Sequence, residues 1–186
     1  MEILILPDAA AWRTWLDTHE SVHDGVWLVL AKKGTTSPTS LRYAEALEEA
    51  LCSGWIDGQT LKRDEGTYHQ RFTPRRARSI WSARNVGHIA RLEEQGRMRD
   101  RGRAEVERAR ADGRWDAAYG GSATIEPSAE MAAALAADPA AAAFLEALTA
   151  SERFAVLFRT RTQTTPGGRE RAAQRMVAKL ARGEKP

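Results

Sequence analysis

Residues 52–85 read CSGWIDGQTLKRDEGTYHQRFTPRRARSIWSARN, and the fold turns on how this stretch is parsed. Ser53-Gly54 reads as a helix exit, with glycine in the left-handed position that closes many helices. Two extended arms follow, 55–63 and 67–73, around Asp64-Glu65-Gly66, a loop in which glycine is expected to take positive φ. The arms form a hairpin. On the second arm Tyr68, Gln70 and Phe72 share one face, and His69, Arg71 and Thr73 the other. Pro74 then stiffens the entry to Arg75 and Arg76. From Arg71 to Asn85 the chain carries five arginines and no carboxylate.

Working outward, residues 3–6 read as a short strand stopped by Pro7. Asp8 caps a helix over 8–18 with Trp12, Trp15 and Leu16 on one face. Residues 26–31 form an apolar run of strand length, as in a strand buried on both sides. A loop from Lys32 to Ser40 leads to a helix over 42–52, striped by Tyr43, Leu47, Ala50 and Leu51. Beyond Ser82 the pattern is helical. Val86, Ile89 and Leu92 stripe one helix, and 99–112 forms another that interleaves arginine with Glu105, Glu107 and Asp112. Ser128, Asp138-Pro139 and the Thr149/Glu152 capping box start three more helices. A last one follows Pro166-Gly167-Gly168. The expectation is an α+β fold: a small antiparallel-rich sheet with helices in the N-terminal half, and an all-helical C-terminal half. The expected division is a core at 1–85 and a helical layer at 86–186 packed on it.

A hydrophobic fraction of 42% over 186 residues is enough for a real core. The formal net charge is only +3, weak for a dedicated nucleic-acid binder. Arginine outnumbers lysine 23 to 5. Cys52 is the single cysteine, which excludes an intramolecular disulfide. The N-terminus has no secretory pattern and no run is long enough to cross a bilayer, so a cytoplasmic location and no membrane partner are expected. No cofactor is expected. Oligomeric state has no sequence signal.

Several motifs resemble the YdeI/OmpD-associated family, also labelled bacteriocin-protection proteins. They are Trp15-Leu16, Val26-Trp27-Leu28 with Lys32-Lys33, Glu45-Ala46-Leu47, Ala50-Leu51-Cys52 and Gly54-Trp55-Ile56-Asp57. They continue through Arg71-Phe72-Thr73-Pro74-Arg75-Arg76, Ser79-Ile80-Trp81-Ser82, Asn85, Gly96-Arg97-Met98, Gly113-Arg114-Trp115 and Pro127. The chain departs at 163–169, QTTPGGR, where the family tends to carry a basic segment with Pro-Glu-Thr-Arg. The resemblance implies a role in protection against antimicrobial agents or envelope stress and brings no catalytic residue with it.

The site expected from the residues is an arginine-rich anion pocket: Trp55, Asp57, Arg71, Arg75, Arg76, Ser79, Trp81, Ser82 and Asn85. Arginine forks and hydroxyls suit phosphate or carboxylate, N–H groups at the helix start near Ser82 add donors, and Trp55 or Trp81 offers a stacking face. The bland alternative is structural: Asp57, mostly buried between apolar neighbours, pairs with Arg71, Arg75 or a backbone N–H. Such a protein is a non-catalytic binder of a small anionic ligand. The alternatives are an enzyme acting on a small phosphorylated or carboxylated substrate and a single-stranded nucleic-acid binder using basic and aromatic residues in 68–84. Three further constellations read as structural first: His19, His23 and Asp24 as a metal pair, Cys52 with His69 as a nucleophile, and Glu45 with Asp57 as an acid pair. Ser79 and Ser82 lack a nucleophile elbow.

Overall fold

The computed structural model describes residues 2–121, 123–163 and 165–185. Thr164, inside the segment that departs from the family pattern, lies outside the described residues. The chain divides into two compact units. One comprises Met1–Ser79 with Asn85–Asp116, the other Ile80–Arg84 with Ala117–Pro186.

The first unit is built on four strands: β1 (Ile3–Leu4), β2 (Val26–Ala31), β3 (Trp55–Lys62) and β4 (Thr67–Pro74). Their order is β1-β2-β4-β3. β2 and β3 both run antiparallel to β4, whereas β1 lies parallel to β2, so the sheet is mixed. The parallel pairing follows from connectivity: α1 (Ala9–His19) crosses over between β1 and β2. α1 and α2 (Tyr43–Cys52) cover one sheet face. Trp12 of α1 reaches Phe72 at 5.7 Å and Trp55 at 6.3 Å between ring centroids, and its indole N–H donates to the Ala46 carbonyl of α2 at 3.1 Å. All three rings are fully buried. Burial of rings this size is worth about 4–6 kcal/mol each before entropy is counted. The run at 26–31 is buried at every position, as expected for a central strand.

The same unit holds most of α3 (Ala83–Glu94) and all of α4 (Asp100–Ala111). α4 crosses the end of α2 at glycine. A Cβ on Gly102 would lie 2.1 Å from the Cys52 carbonyl oxygen, so only glycine permits the crossing.

The hairpin forms where expected, with two differences. Gly66 does not take positive φ. The turn is closed by the Asp64 carboxylate, which accepts from Gly66 N at 3.0 Å, Thr67 N at 2.7 Å and the Thr67 hydroxyl at 2.8 Å. Aspartate folded back on the chain does the work left-handed glycine was expected to do. The second difference is a register shift between Asp57 and Thr60. Thr60 faces Gln70, yet Asp57 faces Phe72, so β3 carries one extra residue at a bulge around Gly58 and Gln59.

In the second unit, α5 (Ala129–Ala136), α6 (Pro139–Ala147), α7 (Ala150–Arg161) and α8 (Pro166–Ala181) surround a core of Met131, Leu145, Val156, Leu157, Val177 and Leu180. Three starts are capped by side chains expected from the sequence: Ser128, Asp138, and Thr149 with Glu152 returning the bond. The last helix begins earlier than expected: Pro166, Gly167 and Gly168 form its first turn rather than a break before it, and Thr165 caps it. A short bridge joins Ser82 to Tyr119.

Candidate functional site

The bulge decides what Asp57 can do. Continuing the Thr60–Gln70 register would set Asp57 opposite Thr73, on the face of Arg71. The extra residue moves it opposite Phe72, onto the helix-covered face. There the half-buried carboxylate accepts from the Tyr43 hydroxyl of α2 at 2.8 Å. Among the described residues no ion pair links Asp57 to an arginine, which corrects the expected Asp57–arginine pair. Gln70 holds the bulge in place. It is 3% exposed, and its amide nitrogen donates to the Gly58 and Gln59 carbonyls at 2.9 and 3.2 Å.

The other expected site residues separate into interior and surface groups. Trp55 is fully buried, edge-on to Trp15 at 5.8 Å, with its indole N–H donating to the Glu20 carbonyl at 3.2 Å; it offers no free stacking face. Arg71 is half-buried, with its guanidinium 5.9 Å from the Trp27 ring centroid. Arg75 is 6% exposed and continues the hairpin ladder through its backbone N–H to the Gly54 carbonyl at 2.9 Å. Asn85 is buried on α3. Trp81 is buried as well, and it and Ser82 belong to the second unit. The first N–H of α3, on Ala83, is taken by the Tyr119 carbonyl at 2.8 Å, so that donor is already satisfied.

The surface group is a corner at residues 75–79. Ser79 Oγ accepts from Arg76 N at 2.9 Å, and Ser79 N donates to the Arg76 carbonyl at 2.9 Å. Arg114 closes the corner from outside, donating to the Ser79 carbonyl at 2.7 Å while Asp112 holds its Nε at 2.8 Å. Arg76 and Arg78 are exposed and make no ion pair among the described residues. The backbone of the corner is thus fixed while two of its guanidinium groups remain available.

Many other arginines of this unit are paired with acids. On α4, Arg108 pairs with Glu105, Arg103 with Asp100 and Arg110 with Glu93, the self-paired face that its sequence suggests. Sequence reasoning missed the largest cluster. Glu48 of α2 meets Arg91 and Arg97; Glu49 meets Arg97 at 2.6 Å and Arg99 at 3.4 Å; Asp17 of α1 meets Arg99 at 2.7 Å. Burial opposes ionisation of Glu48, but hydrogen bonds from Arg97 and Arg91 outweigh it and hold its carboxyl below the usual range. The partners lie more than forty residues downstream of the glutamates, and the only hint was Glu48-Glu49 beside the apolar stripe.

The remaining constellations take structural roles. The His19 ring stacks on Trp15 at 4.5 Å, and His23 Nε2 meets Glu2 at 2.7 Å. Among the described residues no three His, Cys, Asp or Glu side chains converge as a metal site. Cys52 is fully buried; burial, then the nearby Glu49 charge, pushes its thiol up to about 11, the opposite of nucleophile activation. His69 packs edge-on to Trp27 at 6.5 Å. Glu45 accepts from Arg42 N at 3.0 Å as part of a helix cap. No helix among the described residues is long and apolar enough to cross a membrane.

Two family models match the chain. Residues 4–105 match a domain of unknown function (DUF8412), and residues 124–183 match the family described as Bacteriocin-protection, YdeI or OmpD-Associated. The second match runs straight across 163–169, where the sequence departs from the expected basic segment. Most of the motifs that carry the resemblance fall within 4–105 instead, with Pro127 inside the second match. No curated protein and no solved structure matches.

Proposed function

We propose that this chain, a member of the DUF8412 family through residues 4–105 with a match at residues 124–183 to the family described as Bacteriocin-protection, YdeI or OmpD-Associated, is a non-catalytic binding protein with a protective, stress-related role in the cytoplasm. Its ligand is a small anion, taken at the corner of residues 75–79. The observation that carries this reading is the state of Arg76 and Arg78. They are exposed, make no ion pair among the described residues, and stand on a backbone corner closed by Ser79 and Arg114. Two unpaired arginine forks on a fixed backbone suit phosphate or carboxylate oxygens, and only the side chains themselves have to be ordered on binding.

Asp57 does not compete for them: it makes no ion pair among the described residues, and it lies on the helix-covered face, where its Oδ2 accepts from Tyr43. The buried Cys52 thiol argues against nucleophilic chemistry at that position. The test is a titration with inorganic polyphosphate and with a short single-stranded DNA at two salt concentrations, comparing the natural chain with Arg76→Ala/Arg78→Ala. The double variant is expected to bind both polyanions more weakly, with a shallower salt dependence. Equal affinity and an equal salt slope would place the anion site elsewhere. DNA bound far more tightly than polyphosphate would favour the single-strand reading over the small-anion one.

A further inference from the structure

The second unit contains a pocket of about 430 Å³ between α7 and α8, lined by Arg159, Arg175 and Lys179 and by no acid. Most neighbouring cations of this unit are matched: Arg153 with Glu146, Arg169 with Glu130 at 2.7 Å, Arg182 with Glu184 at 2.7 Å and Lys185 with Glu152 at 2.8 Å. Arg161 donates to the Glu126 carbonyl. Arg159, Arg175 and Lys179 make no ion pair among the described residues, and all three converge on this pocket. Along α8, Arg171, Arg175 and Lys179 recur every fourth residue, a spacing that sets like charges beside one another. Such a row is self-repelling, relieved at Lys179 by the nearby Glu184 charge.

The pocket wall is prepared for an anion. The end of α7 would normally present carbonyl oxygens, which repel negative charge. Here the buried Thr160 hydroxyl donates to the Leu157 carbonyl at 2.8 Å, and the Thr162 hydroxyl donates to the Arg159 carbonyl at 3.0 Å. Gln163, at the rim, adds a carboxamide donor. We propose that this pocket is a second anion site, selective for an oligophosphate chain. Two guanidinium forks grip successive phosphates, and Lys179 supplies a point charge at one end. The chain can belong to a free oligophosphate or to a nucleotide tail; the recognised chemistry is the same. Its residues are distinct from those of the corner at Arg76 and Arg78, so either site can fail without the other.

The full-length Arg76→Ala/Arg78→Ala protein serves as background, so that the corner cannot report. Sodium tripolyphosphate and ATP are titrated separately while the arginine Nε–H resonances are followed by NMR. The Arg159 and Arg175 signals are expected to shift saturably. Adding Arg159→Gln/Arg175→Gln to that background is expected to weaken binding at least tenfold with an unchanged melting temperature. Equal affinity for the two probes supports recognition of the phosphate chain alone; tighter ATP supports a nucleotide source. Absence of saturable shifts at Arg159 and Arg175 with both probes, or unchanged affinity after their replacement, overturns the proposal.

Discussion

Asp57 accepts one hydrogen bond, from a neutral hydroxyl, in a half-buried place. That sets its worth at about 1–2 kcal/mol, the lower range for a bond to a charged group, rather than the several that a buried ion pair would command. Asp57→Ala and Tyr43→Phe are each expected to lower urea-unfolding stability by about that amount. The double variant should lose little more than either single one, because they remove the same bond; full additivity would show that the two side chains act separately. Gly102 is the opposite case, a residue whose worth lies in lacking a side chain. Gly102→Ala forces a methyl into the Cys52 carbonyl, where backbone must shift, and is expected to cost at least about 1–3 kcal/mol. A melting temperature unchanged by Gly102→Ala would mean α4 does not cross α2 this closely. Neither role was legible in the sequence. The acidity and apolar flanks of Asp57 correctly implied a partner, but a single bulged residue chose which face it would find one on. Nothing local marks Gly102 as a crossing point.

At the scale of elements, local chemistry was readable and long-range pairing was not. The hairpin arms, the left-handed Gly54, and the caps at Ser128, Asp138 and Thr149 all follow from residues within a few positions of one another. The parallel β1 and the Glu48–Glu49 arginine cluster depend on segments brought together by the fold. That cluster ties α1 and α2 to α3 and the loop after it, and it carries a pH signature. Glu48 holds its proton less tightly in the native state than the ordinary carboxyl value of 4.5. Its contribution is therefore complete above that value and is lost as pH falls through the lower native pKa. Glu48→Gln is expected to flatten the acid limb of a melting-temperature profile below about pH 4.5 while lowering stability at pH 7; parallel acid limbs would contradict the pairing. Glu49→Ala should cost more, about 2–3 kcal/mol. Its side chain is 9% exposed and serves both Arg97 and Arg99, although the partial exposure of Arg97 keeps the figure below that of a sealed pair.

For the whole molecule, the fold class was legible because strands and helices segregate along the chain, with the sheet complete by Pro74. The candidate site was legible only in part. The charge asymmetry of 71–85 drew attention to this segment, but the turn that follows β4 buries Arg75 and leaves Arg76 and Arg78 at the surface. Burial of Trp55 and Trp81 removes the stacking faces expected for the anion pocket, and burial of Phe72 and Trp81 weakens the single-strand nucleic-acid reading of 68–84. What remains is a chain rich in arginine in which about half of the guanidinium groups meet acids among the described residues, while Arg76 and Arg78 do not. The central claim is that an anion seeks out Arg76 and Arg78 and passes over the paired arginines. Crystals soaked in tungstate test this most directly, since the tungsten anomalous signal locates the anion without a prior model. A peak within hydrogen-bonding distance of the Arg76 and Arg78 guanidinium groups is the predicted result. An anomalous map with no peak there, and peaks instead along the Glu48–Glu49 cluster arginines, would contradict it.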